Sequence, residues 1–189
     1  MVGAILTQNT AWSNVERAMA RLQDARALSP QVLARLRPTV IQRLIRPSGY
    51  FRQKAAVLRA FSRWYVRRYN GSPRAMFRTA LGPLRQELLV RKGIGPETAD
   101  SILLYAGQQP VVVIDAYTRR ILQRHHLLTG RESYEDVQRV IVNRVPRDVR
   151  LYNEFHALLV SVGKRYCHRR NPECACCPLG KFPHQLEVT

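Results

Sequence analysis

Apolar residues recur at helical spacing along most of the chain. In residues 51–69, Leu58, Phe61 and Tyr65 fall on one stripe, and arginines and a lysine occupy the opposite side. This is the pattern of an amphipathic helix with one buried face. The same spacing predicts further helices over residues 83–90, 98–106, 115–124, 134–144 and 148–163. Gly or Pro separates these segments, so the pattern predicts an all-α fold.

Two short stretches refine this picture. Val15, Ala18, Met19 and Leu22 share one helical face, and Ser13 is predicted to be the N-cap of that helix. The run "VVVI" at 111–114 is the only strong strand-like pattern. It is short, and it fits a strand or an extended, buried lead into the next helix equally well.

The charge of the chain points to a polyanionic partner. There are 31 Lys and Arg residues against 13 Asp and Glu, which gives a net charge of +18 and a sequence pI near 11.0. Such an excess favours nucleic acid or an anionic surface as the partner. An Arg-rich proteome is the alternative explanation, and the excess of Arg over Lys fits it in part.

The N-terminus and the cysteines indicate a reducing, intracellular setting. "MVGAILTQNTAWS" lacks the basic start and cleavage site of a signal peptide, and no apolar run reaches the roughly 18 residues of a membrane helix. We therefore expect a soluble, cytoplasmic protein. Cys167, Cys174, Cys176 and Cys177 all fall in one short window. In a reducing compartment this clustering favours a metal site over disulfides.

A glycine turn and an aspartate give the chain its most specific pattern. In "RKGIGPETAD" one helix ends, a G-I-G turn follows and a second helix begins near Pro96. The free amides of such a turn suit a phosphate, although G-x-G alone is often only a helix–helix turn. Further on, "PVVVI" leads to Asp115 at the start of another helix. Asp115 is either a simple N-cap or a functional carboxylate.

Together these motifs resemble the helix-hairpin-helix superfamily of DNA glycosylases, the endonuclease III family. Its pattern LPGVGxxTA followed by an apolar run and V-D is similar to "VRKGIGPETA" and "VIDAYT". The resemblance covers nearly the whole chain, because it continues through "AILTQNTAWSNVERAMARL", "IRPSGYFRQKA" and "VGKRYC". It implies two helical lobes, residues 1–109 with the hairpin and residues 110–189 with the aspartate and the cysteines.

The resemblance also implies roles for individual residues. The hairpin would bind the DNA backbone through Lys92, Gly93, Gly95 and Thr98. Asp115 would be the catalytic residue and would act on a nucleotide flipped out of the duplex. The expected partner is double-stranded DNA that contains a damaged base. We expect a monomer near the nucleoid, with no membrane partner.

The position of Glu97 favours a monofunctional enzyme. Bifunctional members carry a nucleophilic lysine two residues after the second glycine, where this chain has Glu97. The run "KGIGPETADSILLYA" most resembles the endonuclease-III-like 3-methyladenine glycosylases. In that subgroup an aromatic residue, here Trp12, stacks on the flipped base, and Glu97 would face a cationic base. Trp12 as a core aromatic and Glu97 as a first-turn acid are equally good readings.

Other functions remain open on the sequence. Within enzymes, they are a mismatch thymine or uracil glycosylase and a bifunctional endonuclease III-type glycosylase with AP lyase activity. From a different class, the chain could be a non-catalytic DNA-binding hairpin module, which would not need Asp115.

Two loops and several basic residues have weaker assignments. Gln8, Asn9 and Tyr50 align with loops that wedge into the duplex where the base leaves, although loop polarity alone would explain them. Separately, three basic residues are expected to be phosphate contacts or part of a solvated face rather than catalysts; they are Lys54, Arg119 and Arg120.

The cysteine window matches the family's cluster loop at three of four positions. That loop is C-x6-C-x2-C-x5-C and holds a [4Fe–4S] cluster. Cys167, Cys174 and Cys177 match it, but the fourth position is Pro183. Cys176 in a rearranged loop, a contribution from His184, zinc in place of the cluster, and loss of the cluster are the alternatives. We favour a structural [4Fe–4S] cluster with Cys176 as the fourth ligand.

The chain departs from the family pattern at two further points. Lys92 stands where most relatives have Pro, and the family has residues before "AILTQNT" that are not present here. With those residues the usual first helix, and part of the base pocket, are expected to be missing.

Overall fold

The computed structural model describes residues 1–186, which form two compact units. The first spans Met1–Gly107 and the second begins at Gln108. Across the described residues the regular secondary structure is helical and no strand is present, which confirms the all-α prediction. None of the helices in this part of the chain is both long and apolar enough to cross a membrane.

The helices follow one another closely along the chain. They are α1 (Val2–Leu6), α2 (Trp12–Asp24), α3 (Pro30–Arg35), α4 (Pro38–Leu44), α5 (Phe51–Tyr69), α6 (Pro73–Met76), α7 (Leu81–Leu89), α8 (Pro96–Ser101), α9 (Ala116–Arg124), α10 (Tyr134–Val142) and α11 (Val149–Arg165). A π-helical turn over Ile102–Ala106 extends α8, and 3₁₀ turns cover Arg46–Ser48 and Cys174–Cys176.

Helix α5 is the centre of the first unit. It packs against α3 and α4 on one side and contacts α1 on another. Its buried stripe includes the predicted Leu58, Phe61 and Tyr65. Phe61 and Tyr65 stack with their ring centroids 6.0 Å apart, and Trp64 meets Tyr69 edge to face at 5.5 Å. Such aromatic pairs add to the hydrophobic burial that stabilises the unit.

Three short helices were not predicted from the sequence. Helices α3, α4 and α6 have only 6, 7 and 4 residues, which is too few for a periodic pattern to stand out. Each begins with a proline at its first turn, where the fixed φ of proline and its missing N–H cost nothing.

Two local predictions have definite outcomes. The prediction that Ser13 caps α2 is wrong, because the N-cap is Ala11 and the helix has already begun at Trp12. Residues 111–114 are buried and belong to neither a helix nor a strand. Two side chains of α10 form hydrogen bonds with the backbone of residues 111–114. Gln138 Nε2 donates to Val112 O at 2.7 Å, and the Ile114 amide donates to the Tyr134 hydroxyl at 3.2 Å.

In the second unit, α9 packs against α11. The approach is close at Gly163, where a Cβ atom would lie 2.4 Å from Cδ1 of Tyr117. Ile121, Leu159 and Cys167 form a buried cluster at the end of this pair. The helix pair therefore holds the start of the cysteine loop against the core of its own unit.

Candidate active site

The glycine hairpin consists of α7, a turn over residues 90–95 and α8. Gly93 has φ +84°, a left-handed conformation that favours glycine. A Cβ atom at Gly93 would lie only 2.3 Å from Cγ2 of Val57 on α5. Backbone conformation and close approach therefore both require glycine here. Gly95 is the N-cap of α8, and the N–H groups of the first turn that follows have no acceptor within the helix.

A buried ion pair joins the two helices of the hairpin. Arg85 on α7 donates through Nε to Oδ1 of Asp100 on α8 at 2.7 Å, and through Nη2 to Oδ2 at 3.1 Å. The Asp100 side chain is fully buried. This bidentate contact restrains α7 and α8 relative to each other and so supports the shape of the turn between them.

Gln8 links the loop after α1 to the same hairpin. Its Nε2 donates to the Gly93 carbonyl at 3.0 Å and to the Thr98 hydroxyl at 2.9 Å. Thr98 is buried. Within this unit, Gln8 and Thr98 thus brace the turn, whereas Lys92 and Gly95 are exposed on it.

Lys54 is not a surface residue, so its expected role as a phosphate contact or solvated side chain is wrong. It is 3% exposed, and its Nζ donates to the carbonyls of Leu6 at 2.9 Å and Ser48 at 2.6 Å. Burial lowers the pKa of the Lys54 ammonium. Lys54 fixes the backbone just before the two predicted wedge loops. Those loops present Asn9 and Tyr50, both exposed and both in the left-handed conformation.

Asp115 caps α9 and also faces a histidine. Its Oδ1 accepts the Thr118 amide at 2.7 Å, which confirms the capping interpretation. Its Oδ2 lies 3.6 Å from Nε2 of His156 on α11, and both side chains are only 13% exposed. The cap uses one carboxylate oxygen, and the other faces the imidazole.

The surroundings of Asp115 favour its charged form. Burial alone raises the pKa of this carboxyl, but the contact with His156 and the Thr118 amide outweigh burial. The net result is a pKa below the usual value. The distance of 3.6 Å between His156 Nε2 and Asp115 Oδ2 is longer than a usual hydrogen bond but lies within the range of an ion pair. Asp115 is therefore an ionised, mostly buried carboxylate at neutral pH.

His156 was missed from the sequence. It occupies a single position of α11, and no motif places it beside Asp115 before the two helices are packed together. The only signal for His156 in the sequence was a polar residue on a helix face that is otherwise apolar.

Trp12 is partly exposed at the start of α2. Its side chain is 48% exposed, so it is not a core aromatic. The indole Nε1 donates to Oε1 of Glu16 at 2.9 Å, which orients the ring and places a carboxylate at its edge. Glu16 stands four residues after Trp12, a helical spacing that could have indicated the contact. Glu97 is exposed in the first turn of α8.

The cysteine loop surrounds a small cavity in the second unit. Cys167, Cys174 and Cys177 line it together with His184, whereas the exposed Cys176 does not. The cavity measures about 20 Å³. Within residues 1–186, no group of three or more Cys, His, Asp or Glu side chains is placed to hold a single metal ion.

Three cysteines and a histidine are donor types that can bind either a [4Fe–4S] cluster or zinc. The ligands of a zinc ion converge on one point, whereas those of a [4Fe–4S] cluster bind different irons and stand apart around it. Cys174, Cys177 and His184 are partly exposed, whereas Cys167 is buried.

Basic side chains form a concave surface on the first unit. The cavity measures about 440 Å³, and its lining includes six basic residues and no acidic one; the basic residues are Arg52, Arg59, Arg63, Arg67, Arg91 and Lys92. Arg119 and Arg120 belong to the second unit. Arg119 donates to the backbone carbonyl of Glu132, and Arg120 donates to those of Cys167 and Gly163.

Comparison with known proteins decides the family. Residues 2–147 match the model of the "HhH-GPD superfamily base excision DNA repair protein". The chain belongs to this superfamily. The hairpin of α7 and α8 and the capping Asp115 both lie inside the matched range, and the resemblance inferred from the sequence is confirmed.

Relatives extend the match across the chain. A Methanocaldococcus jannaschii protein, named as a candidate DNA repair glycosylase, is 38% identical over 184 residues, which is 96% of this chain and 83% of the relative. Endonuclease III of Thermotoga maritima is 29% identical over 94% of this chain and 78% of its own length. Among solved structures, the H. pylori 3-methyladenine DNA glycosylase bound to 1,N6-ethenoadenine superposes with a TM-score of 0.76 at 28% identity. That match covers 87% of this chain and 83% of the other. This HhH-GPD protein is thus a member of a family of enzymes that act on DNA.

Proposed function

We propose that this HhH-GPD protein is a monofunctional DNA glycosylase that removes an alkylated purine, such as 3-methyladenine, from duplex DNA. The observation that carries the proposal is the ionised, mostly buried Asp115 beside His156, in a chain of this family. Helix capping needs only one oxygen of this carboxylate, and an ionised, mostly buried carboxylate beside an imidazole is an arrangement that is concentrated at active sites.

Asp115 supplies the charge that the reaction needs. As the N-glycosidic bond breaks, its electron pair leaves with the base and the sugar gains oxocarbenium character. The carboxylate stabilises this positive charge and orients a water molecule toward the anomeric carbon. The water adds there, its proton passes to the carboxylate or to solvent, and an abasic sugar remains. An alkylated purine already carries positive charge, so it leaves without strong acid catalysis.

The preference for a cationic base is supported by two features of the first unit. Trp12 offers an exposed indole face, and the Glu16 carboxylate at its edge makes this platform attractive to a cation. Glu97 adds a second exposed carboxylate at the hairpin. The H. pylori relative is described as a 3-methyladenine glycosylase bound to a modified adenine, and its likeness to this chain supports the same substrate class.

The lysines of the first unit support hydrolysis without strand cleavage. A lyase needs an amine that attacks the sugar. Position 97, where the resemblance places that amine, is glutamate. Lys54 is buried and donates to two carbonyls, so it is not available as a nucleophile.

We propose that the hairpin binds DNA phosphates through Lys92, Gly93 and Gly95, and that Gln8 and Thr98 hold its shape. Asn9 and Tyr50 would fill the gap left by the flipped base, since both are exposed on adjoining loops. The six basic residues of the concave surface would add sequence-independent affinity. The chain would act as a monomer. A [4Fe–4S] cluster in the cysteine loop would be structural and would hold the basic loop residues in place.

The test is a panel of duplexes that carry alkylated, deaminated, oxidised or mismatched bases. Release of 3-methyladenine or a related alkylpurine, with abasic DNA as the product, is the expected result. Borohydride added during turnover should trap no covalent enzyme–DNA adduct. Preferred release of thymine or uracil from mismatches would overturn the alkylpurine assignment. Efficient trapping would instead reveal a lysine nucleophile.

Replacement of His156 should change the pH dependence of base release. In His156→Ala the pKa of Asp115 is expected to rise, because the contacts with His156 that lower this pKa are removed. Burial, which raises the pKa, is then opposed by the contacts with Thr118. Asp115 must be ionised, so the acidic limb of the rate profile should move to higher pH. Single-turnover rates measured across the acidic range check this.

A matched control uses another histidine of the same unit. His126 is exposed and has φ +57°, a conformation that asparagine tolerates. His126→Asn should leave the acidic limb unchanged. If both variants behaved like the wild type, His156 would have no electrostatic role at Asp115.

A further inference from the structure

A buried arginine stands beside the cysteine loop. Arg124 on α9 is 2% exposed, and its Nη1 donates to Sγ of Cys167 at 3.0 Å and to the His168 carbonyl at 2.8 Å. Its Nε and Nη2 donate to the carbonyls of Leu186 and Arg169. In the part of the chain that the structure describes, no carboxylate lies within ion-pair distance of Arg124.

This arrangement calls for negative charge at the sulfur. A buried cation is costly unless a counter-charge and hydrogen bonds compensate it. The carbonyls around Arg124 provide hydrogen bonds but no net charge. A neutral thiol is only a weak acceptor, whereas a thiolate bound to a metal centre is a strong one. Arg124 therefore places a buried cation and an N–H donor directly against Cys167 Sγ, a position that suits a sulfur bound to a metal centre.

The cavity beside Arg124 selects among the donors of the loop. Cys167, Cys174, Cys177 and His184 all line it. Gly180 holds the turn between them, since a Cβ atom there would lie 2.1 Å from the Cys174 carbonyl oxygen. Cys176 lies in the 3₁₀ turn over Cys174–Cys176, is exposed and does not line the cavity.

His184 also has the hydrogen bond expected of a ligand. Its Nδ1 lies 2.8 Å from the carbonyl oxygen of Phe182. With the proton on Nδ1, the ring donates to this carbonyl and Nε2 keeps a lone pair. Histidines that bind metals usually have such a backbone partner on the other nitrogen. His184 also directly follows Pro183, the position where the resemblance expects the fourth cysteine.

We propose that His184, and not Cys176, is the fourth ligand of the iron–sulfur centre, with Cys167, Cys174 and Cys177 as the other three. Arg124 is the buried counter-charge of this centre. The proposal replaces the expectation from the sequence that Cys176 completes the set. It concerns the cofactor only and stands whichever base the enzyme removes.

His125 is the nearest rival. It lines the same cavity, its Nδ1 lies 3.0 Å from the Pro183 carbonyl, and its ring centroid is 5.6 Å from that of His184. It extends from the end of α9 rather than from the cysteine loop. It therefore provides a matched control for the loss of an imidazole at this cavity.

The test is the cofactor content of full-length variants purified without oxygen. Iron, acid-labile sulfide and zinc per chain would be measured for the wild type, Cys176→Ser, His184→Ala, His184→Cys and His125→Ala. Circular dichroism would show that each variant is helical. Cys176→Ser and His125→Ala should keep the iron and sulfide of the wild type, and His184→Ala should lose at least half. His184→Cys should keep the cluster.

Spectroscopy distinguishes a ligand from a structural neighbour. Pulsed EPR of the paramagnetic cluster, with ¹⁵N-labelled histidine, should show a nitrogen coupling in the wild type that is absent from His184→Cys. Loss of the cluster in Cys176→Ser with retention in His184→Ala would overturn the proposal. So would a nitrogen coupling that disappears in His125→Ala, or zinc in place of iron in the wild type.

The role of Arg124 is tested with two further variants. Arg124→Met removes the charge, and Arg124→Lys keeps it. The cluster of Arg124→Met should be lost at least about tenfold faster to a chelator than that of the wild type, and Arg124→Lys should lie between the two. Equal rates for all three proteins would show that the arginine does not stabilise the centre.

Discussion

Asp115→Asn should abolish base excision without unfolding the protein. The amide keeps an oxygen that can accept the Thr118 N–H, so α9 retains its cap. The negative charge that stabilises the oxocarbenium-like sugar is lost. Removal of one such electrostatic contact costs about 10²–10³-fold in rate, and we expect at least this loss in single-turnover excision of an alkylated purine.

Duplex binding by Asp115→Asn should be intact or tighter. A carboxylate near DNA repels the phosphates, and its removal cannot weaken their attraction to a chain with a net charge of +18. Titration of a damaged duplex with the variant, at several salt concentrations, measures this. Binding and chemistry should therefore separate in a single substitution.

Asp148→Asn is the matched control for this result. Asp148 is the N-cap of α11 in the same unit, and its Oδ1 accepts the Leu151 amide at 2.7 Å. It is exposed, whereas the Asp115 side chain is only 13% exposed. The same chemical change there should leave excision within about twofold of the wild type. Unchanged base release by Asp115→Asn would remove the catalytic assignment and favour a DNA-binding module.

Arg85→Met should be the most destabilising substitution in the hairpin. It leaves the fully buried Asp100 carboxylate without the guanidinium that binds both of its oxygens. Breaking a buried pair in this way costs about 3–5 kcal/mol of the free energy of unfolding. For a chain of this size that corresponds to a loss of roughly 6–20 °C in Tm. Thermal and chemical denaturation of the full chain would measure it.

Two further variants distinguish the effect of burying the ion pair from the effect of losing a charge. Arg139→Met removes an exposed contact with Asp136 at 3.1 Å and should cost less than about 1 kcal/mol. Arg85→Met combined with Asp100→Leu replaces both charges by apolar groups and should recover most of the lost stability. If Arg85→Met were as mild as Arg139→Met, the pair would not hold the hairpin together.

The hairpin shows how far local sequence can go. The spacing of the two glycines and Pro96 predicts a tight turn before a helix, because φ preferences and helix capping act over a few residues. The same local rules predict α5 over residues 51–69, which the structure reproduces. The ion pair between Arg85 and Asp100 could not be predicted, because the distance between the two side chains depends on how α7 and α8 pack.

The aspartate site divides in the same way. The sequence places Asp115 at the start of a helix, and its capping of Thr118 follows from that local position. Its ionisation depends on burial and on His156, which is 41 residues away along the chain by number and is brought close by the packing of α9 on α11. The error over Lys54 has the same origin, since only the tertiary structure shows the side chain turned inward to two carbonyls.

The sequence by itself determined the all-α fold, the hairpin, the candidate catalytic aspartate and the family, because these features are encoded in local spacing and in motifs. The tertiary structure decided which groups surround them. It placed His156 beside Asp115, Arg124 beside Cys167, and His184 rather than Cys176 at the cavity. Such contacts join residues distant in sequence, and they are set by the packing of whole helices and loops, which no local pattern specifies.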